Sequence, residues 1–245
     1  TFSEVAGKGI EMLKQNNIKV TVGVLEKKCK ELNARFFTFH EKKRPFVLLK
    51  WAETKDGFIA PEEELHNKDR WITGDKTNQF VHQLRATKKA ILVGKKTVIK
   101  DNPSLTVRHV IGDNPIRLVI DKELELWKNK ERYNVFNSES KTIVFNSQQN
   151  FEENNCVGIK ISFNDSVVKQ ILDDLYMRGI QSLIVEGGTF TINSFLASNL
   201  WDKALMLEGD KTFAKGVKAP VLNSKPVQEY RIGKDKVKWY KNTNQ

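Results

Sequence analysis

Short runs that are almost wholly apolar, FVLLKWA, AILVG, IRLVID, KTIVFN, VGIKISF, SLIVEGG and DKALMLEG, alternate along the chain with stretches whose apolar residues recur at helical spacing. A continuous apolar run of strand length is what a strand covered on both faces requires, and strands alternating with helices specify an α/β fold with a mainly parallel sheet. In such sheets ligands sit at the carboxyl ends of the strands. The helices are expected at ITGDKTNQFVHQLRAT, capped by Thr73 and burying Phe80, Val81 and Leu84, near KKTVI, at DSVVKQILDDLYMRG, capped by Asn164 or Asp165 and stopped by Gly179, and after VEGG. TKDGFIAPEEELHNKDR is expected to be a polar loop. Residues 1 to 43 read as a small α–β–α unit, with a helix through Ile10 and Leu13, a strand IKVTVGVL, and one helix from about Glu26 carrying Cys29, Leu32, Phe36 and Phe39. HEKKRP then serves as a basic linker.

The chain's 245 residues, 39% of them hydrophobic, are enough for a real core, and its +11 formal charge favours phosphate-bearing partners of any kind. No run reaches the ~20 apolar residues of a membrane span, and the cytoplasm is the expected location. Two distant cysteines and four scattered histidines imply no disulfide framework and no metal site. The basic charge is spread out and lacks a nucleic-acid-binding signature, so nucleic acid is not an expected partner.

Two strand-to-helix junctions combine glycine with a hydroxyl, LVGKKTV and VEGGTFT. Glycine admits a phosphate close to the backbone and the helix start offers free N–H groups, although a tight turn alone would also explain it. Neither is a GxGxxG or Walker sequence. Lys50 lies inside the apolar first run, where an unpaired ammonium is costly. Its natural partner is Glu186, and the alternative is an edge strand with the ammonium reaching water. Arg85 and Arg108 are candidates for an anion, or else solvated arginines.

KWAETKDGFIA, WITG, LRA, AILVGKKTVIKDNPSLTVR and IVEGGTFTINSFL, in this order and at these intervals, resemble the reductase domain of the bifunctional riboflavin-biosynthesis deaminase/reductase family, over residues 44 to about 223. Residues 1–43 look like the end of that family's deaminase domain, and 44–245 like the reductase domain. The resemblance implies a dihydrofolate-reductase-like α/β fold and NADPH as hydride donor. It also implies a phosphorylated ribosylaminopyrimidine substrate reduced at its ribosyl C1′, and a homodimer. The zinc of the family's deaminase needs HAE and PCxxxxxxxxC elements that are absent, so neither zinc nor deaminase activity is expected of this chain.

By the family pattern, Asp69, Arg85, Leu105, Arg108 and Glu186 meet the substrate. Asp69 stands where the family often has serine. Ala52, Trp71, Thr73, Gly94, Thr97, Asp101, Gly187, Gly188, Thr189, Phe190 and Thr191 meet the cofactor, whose phosphates the segment from Gly188 to Ser194 would wrap. Lys50, paired with Glu186, would polarise or protonate the reacting imine. A dihydrofolate reductase and a catalytically silent fragment are the competing expectations.

Overall fold

The computed structural model describes residues 7–62 and 71–243. A ten-stranded sheet is ordered β11-β12-β9-β1-β8-β3-β4-β5-β7-β6. Its parallel body comprises β1 (Phe46–Glu53), β3 (Ala90–Gly94), β4 (Ile116–Ile120), β5 (Thr142–Asn146), β7 (Cys156–Lys160), β8 (Ser182–Val185) and β9 (Lys203–Glu208). At one edge β6 (Phe151–Glu153) runs antiparallel to β7; at the other, the hairpin β11 (Gln228–Ile232) and β12 (Asp235–Lys241) runs antiparallel to β9. β2 (Phe58–Pro61) and β10 (Gly216–Lys218) form a separate ribbon. The α/β expectation holds. No helix among the described residues is long and apolar enough to cross a membrane.

Strand alternation divides the apolar residues into two buried layers. Val47, Leu49 and Trp51 of β1 join Leu183 and Val185 of β8 beneath α6 (Val167–Met177) and α7 (Thr189–Ala197), which contribute Ile171, Leu172, Leu175, Ile192 and Phe195. The opposite face carries Leu48, Ile91, Val93 and Ile184 under Val81 of α4 (Asp75–Ala86) and Val98 of α5 (Lys95–Asp101). Because β1 and β8 pair in parallel register, with Leu48 opposite Ile184, the next residues of that stripe are Lys50 and Glu186.

Several local expectations are corrected. The run IKVTVGVL alternates correctly but forms no strand: no other strand pairs with it, and Ile18, Val22, Val24 and Leu25 are exposed. The expected helix from Glu26 is two, α2 (Glu26–Leu32) and α3 (Ala34–Lys42), after α1 (Lys8–Gln15), because Asn33 leaves helical geometry at φ −99°, ψ 23°. Thr73 does not cap α4. Gly74 occupies that position, and a distant carboxylate, Asp235, accepts from the Gly74 N–H at 2.9 Å and the Thr77 hydroxyl at 2.6 Å. Ser166, rather than Asn164 or Asp165, caps α6 by accepting from the Lys169 N–H. The expected loop after β1 contains β2, whose partner β10 lies too far along the chain for local pattern to reveal.

Candidate active site

The carboxyl ends of β1, β3 and β8 meet where the chain order of neighbouring strands is interrupted, and the expected chemical groups gather there. Glu186 continues β8, its N–H bonding to the Leu92 carbonyl at 3.0 Å. Its carboxylate receives two hydrogen bonds from Arg85, Nε to Oε1 at 2.9 Å and Nη2 to Oε2 at 2.8 Å, and a third from Lys50 Nζ at 3.4 Å. All three side chains are largely buried, at 6%, 13% and 14% exposure for Glu186, Arg85 and Lys50. Burial by itself would raise the Glu186 pKa, but the Arg85 and Lys50 charges overcome it and hold it down at about 2. Burial likewise opposes the charge on Arg85, and Glu186 overcomes that effect to raise its pKa. Lys50 is therefore neither at an edge nor reaching bulk water, and Arg85 is not a solvated helix end.

Arg85 stands on the last turn of α4, one turn after His82. The buried His82 Nδ1 accepts the Arg108 N–H at 3.0 Å, which requires a neutral imidazole with its proton on Nε2. Burial, followed by the charges of Arg85 and Arg108, lowers its pKa to about 4 and secures that state at neutral pH. This anchor was not singled out in the sequence, where His82 resembles any polar helix residue. The loop it holds has a demanding shape: Asn102, Leu105 and His109 all have left-handed backbones, with φ of 39°, 56° and 66°. Leu105 is nevertheless 3% exposed, so packing of its side chain fixes the loop from inside. Val107 N–H is held by Asn114 Oδ1 at 2.8 Å. Arg108 ends this segment exposed, and no carboxylate among the described residues pairs with it.

The two glycine junctions lie on adjacent strands. A Cβ on Gly94 would come within 2.6 Å of Thr191 Oγ1, and one on Gly187 within 2.8 Å of Thr191 Cβ. These glycines are therefore required by the close seating of Thr191 between β3 and β8, a reason different from the phosphate clearance expected for Gly187. Gly188 differs. Its φ of −63° suits any residue, and the nearest atom to an added Cβ is Thr97 Oγ1, an ordinary contact at 3.6 Å. Neither backbone strain nor internal packing demands glycine there; a Cβ would fill an open cradle. The Gly188 N–H bonds to Thr97 Oγ1 at 3.0 Å, joining the two junctions. α7 begins immediately afterwards without a side-chain cap, so its first-turn amides and positive dipole end remain available to an anion. The residues present thus fit a phosphate-bearing cofactor.

The remaining expected positions are placed as follows. Ala52 lies on the same face of β1 as Lys50, two residues nearer the carboxyl end. Trp71 is 55% exposed and Thr73 half-buried, on a segment tethered by Asp235 and by Gly209, which abuts the Ile72 carbonyl. Neither tether was evident in the sequence. Asp101 is exposed at the end of α5, and Phe190 is 85% exposed on the first turn of α7. Thr189 directs its hydroxyl to the Lys218 carbonyl. Asp69 lies outside the described residues.

The RibD C-terminal domain family matches residues 45–213. The chain belongs to that family. It is 36% identical over 241 residues to "Riboflavin biosynthesis protein RibD" of Aquifex aeolicus (strain VF5), covering 95% of this chain and 65% of that protein. It is 33% identical to the protein of the same name from Actinobacillus pleuropneumoniae, covering 80% and 53%. A solved structure from Thermotoga maritima, described as a diaminohydroxyphosphoribosylaminopyrimidine deaminase/5-amino-6-(5-phosphoribosylamino)uracil reductase, matches with a TM-score of 0.83 at 33% identity, covering 98% of this chain and 68% of the other. The yeast riboflavin biosynthesis reductase Rib7 shares the fold, at a TM-score of 0.62 and 20% identity. The chain therefore spans about half to two thirds of the curated RibD relatives it matches.

Proposed function

We propose that this chain is an NADPH-dependent reductase of riboflavin biosynthesis, converting 5-amino-6-(5-phosphoribosylamino)uracil to its ribitylamino product. The observation that carries this reading is the buried Lys50–Glu186–Arg85 cluster beside the open start of α7, within a RibD-family fold. NADPH supplies the hydride when bound. Gly188, Thr97 and the first turn of α7 hold its phosphates, with Gly94, Gly187 and Thr191 shaping that floor and Ala52, Trp71, Thr73, Asp101, Thr189 and Phe190 at its margins.

Arg108 and the edge of the Arg85 guanidinium not committed to Glu186 meet the substrate phosphate, with the buried Leu105 contributing by fixing the loop that carries Arg108 and Asp69 a further substrate contact. Glu186 stays ionised at neutral pH, so it orients donors of the substrate and cannot supply a proton. The Lys50 ammonium supplies it. When C1′ of the ring-opened imine accepts hydride, the imine nitrogen takes the Lys50 proton, leaving a secondary amine and a neutral lysine that is reprotonated by water entering the site after product release. Residues 1–43 are the closing part of a deaminase domain whose zinc chemistry lies outside this chain, and 44–245 the reductase domain. A cytoplasmic homodimer completes the proposal.

The test is loss of NADPH absorbance with the deaminated ribosylaminouracil phosphate, beside a dihydrofolate control. Oxidation with the uracil substrate alone is expected, falling on the order of 10²-fold in Lys50→Met. Turnover of dihydrofolate would overturn the substrate assignment, and full turnover by Lys50→Met would remove the proton role.

A further inference from the structure

At the amino ends of the same strands, a cavity of about 280 Å³ opens between α2, α3 and the sheet. Leu48 and Leu84 form apolar walls, Trp239 of β12 closes one side, and Lys88 lies at its base with Arg35 and Lys203 at the rim. Lys88 is 7% exposed. Its ammonium donates to the Thr87 hydroxyl at 3.1 Å, the same oxygen to which Arg35 Nη2 reaches at 3.4 Å, while Arg35 Nη1 takes the Thr87 carbonyl at 2.7 Å. Two cations thus share one neutral hydroxyl, which itself donates to the Leu84 carbonyl at 2.7 Å.

No carboxylate among the described residues pairs with Lys88, Arg35 or Lys203. Glu31, the acidic residue on the lining, is engaged by Lys241 at 3.1 Å and feels the Lys203 charge from beyond ion-pair distance, so it offsets the rim rather than Lys88 at the base. The buried Lys88 and the nearby Arg35 share this partly enclosed space with no carboxylate bonded to either, and like charges so placed raise one another's energy unless an anion joins them. Burial first, and then the Arg35 and Lys203 charges, lower the Lys88 pKa to about 7, so near neutral pH this lysine is only partly protonated until a counter-charge arrives.

We propose that this cavity is an anion site, distinct from the carboxyl-end cluster, which takes a phosphate group, either free or carried on a small metabolite. The buried base gives selectivity for a compact oxyanion, and the two rim cations give it a second and third contact. The proposal does not depend on the reductase assignment, since none of these residues belongs to that cluster.

Calorimetric titration of the 245-residue chain with inorganic pyrophosphate at pH 7.5, in two buffers of different ionisation enthalpy, tests it. Binding is expected to take up a fraction of a proton, because the anion draws Lys88 into its charged form. In Lys88→Met the uptake disappears and affinity for this event falls at least ~10-fold. Lys203→Gln, a rim change that leaves the base intact, weakens binding several-fold and covers the case in which Lys88→Met alters the fold. Comparison of inorganic phosphate with ribose 5-phosphate, each read as the difference between wild type and Lys88→Met, separates a free from a carried phosphate by which binds tighter. Titrations indifferent to both substitutions, or no binding event lost in Lys88→Met, would overturn the proposal.

Discussion

Glu186 carries the largest electrostatic commitment in the site, and its energetic sign follows from its surroundings. Its folded pKa of about 2 lies below the ordinary 4.5. A carboxylate shifted in that direction contributes stability that is fully present above about pH 4.5 and is lost as pH falls through about 2. By linkage the ceiling is on the order of 3 kcal/mol, shared with Arg85 and Lys50 rather than owned by one residue. Glu186→Gln leaves two buried cations facing a neutral amide, so it is expected to lose up to about that amount at pH 7. The gap from wild type should narrow steadily between pH 4 and 2, which urea unfolding across that range will show. A gap independent of pH would mean that the carboxylate acts by packing alone. Turnover should fall on the order of 10²-fold, since Arg85 and Lys50 then lose the charge that orients them.

Elements locate the site by register, and register is what the sequence pattern carries best. In β1 and β8 the alternation that buries Leu48 and Ile184 also puts Lys50 and Glu186 side by side, which is why their partnership was readable. The glycine junctions were readable as places, but the reason was only half readable. Gly94 and Gly187 make room for Thr191, a contact between neighbouring strands that local sequence does not express, whereas Gly188 fits the expectation of an open cradle. His82, Asp235 and Gly209 were missed for the same reason: each acts on a segment distant along the chain. The IKVTVGVL run errs the other way, since alternation implies a strand only where another strand is present to pair. The 71–74 segment supplies a test of long-range positioning. A Cβ on Gly209 would overlap the Ile72 carbonyl oxygen, a backbone atom that no rotamer change can move. Gly209→Ala is therefore expected to displace Trp71 and Thr73 and raise KM for NADPH several-fold. It should cost about 1–3 kcal/mol in stability and alter kcat less than KM. An unchanged KM would separate this segment from cofactor binding.

At the scale of the whole molecule the described chain has an uneven distribution of burial. The central strands of the sheet are enclosed on both faces, whereas α1 and α2 bury none of their residues and α3 buries only Thr38 and Phe39. Met12, Val22, Val24, Leu25 and Leu32 are all more than half exposed, at 67%, 67%, 65%, 63% and 86%. Apolar area left in water contributes nothing to folding, so the segment from residue 7 to about residue 33 is held chiefly by its own backbone hydrogen bonds and short helices, which are marginal alone. α3 is different, because Phe39 packs against Tyr176 with ring centroids 4.8 Å apart and Arg35 holds Thr87. Limited proteolysis is therefore expected to cut first between α1 and α2 or near Asn33, at local opening free energies near zero. Mass spectrometry should then recover a resistant body that begins within α3. The thermal midpoint of that body should match the intact chain within a few degrees, since little buried area leaves with the fragment. A large drop would show that the exposed segment supports the sheet through contacts too dispersed to register as burial. Cleavage beginning instead in the β11–β12 hairpin would place the weakest unit at the other edge, where Asp235 anchors α4.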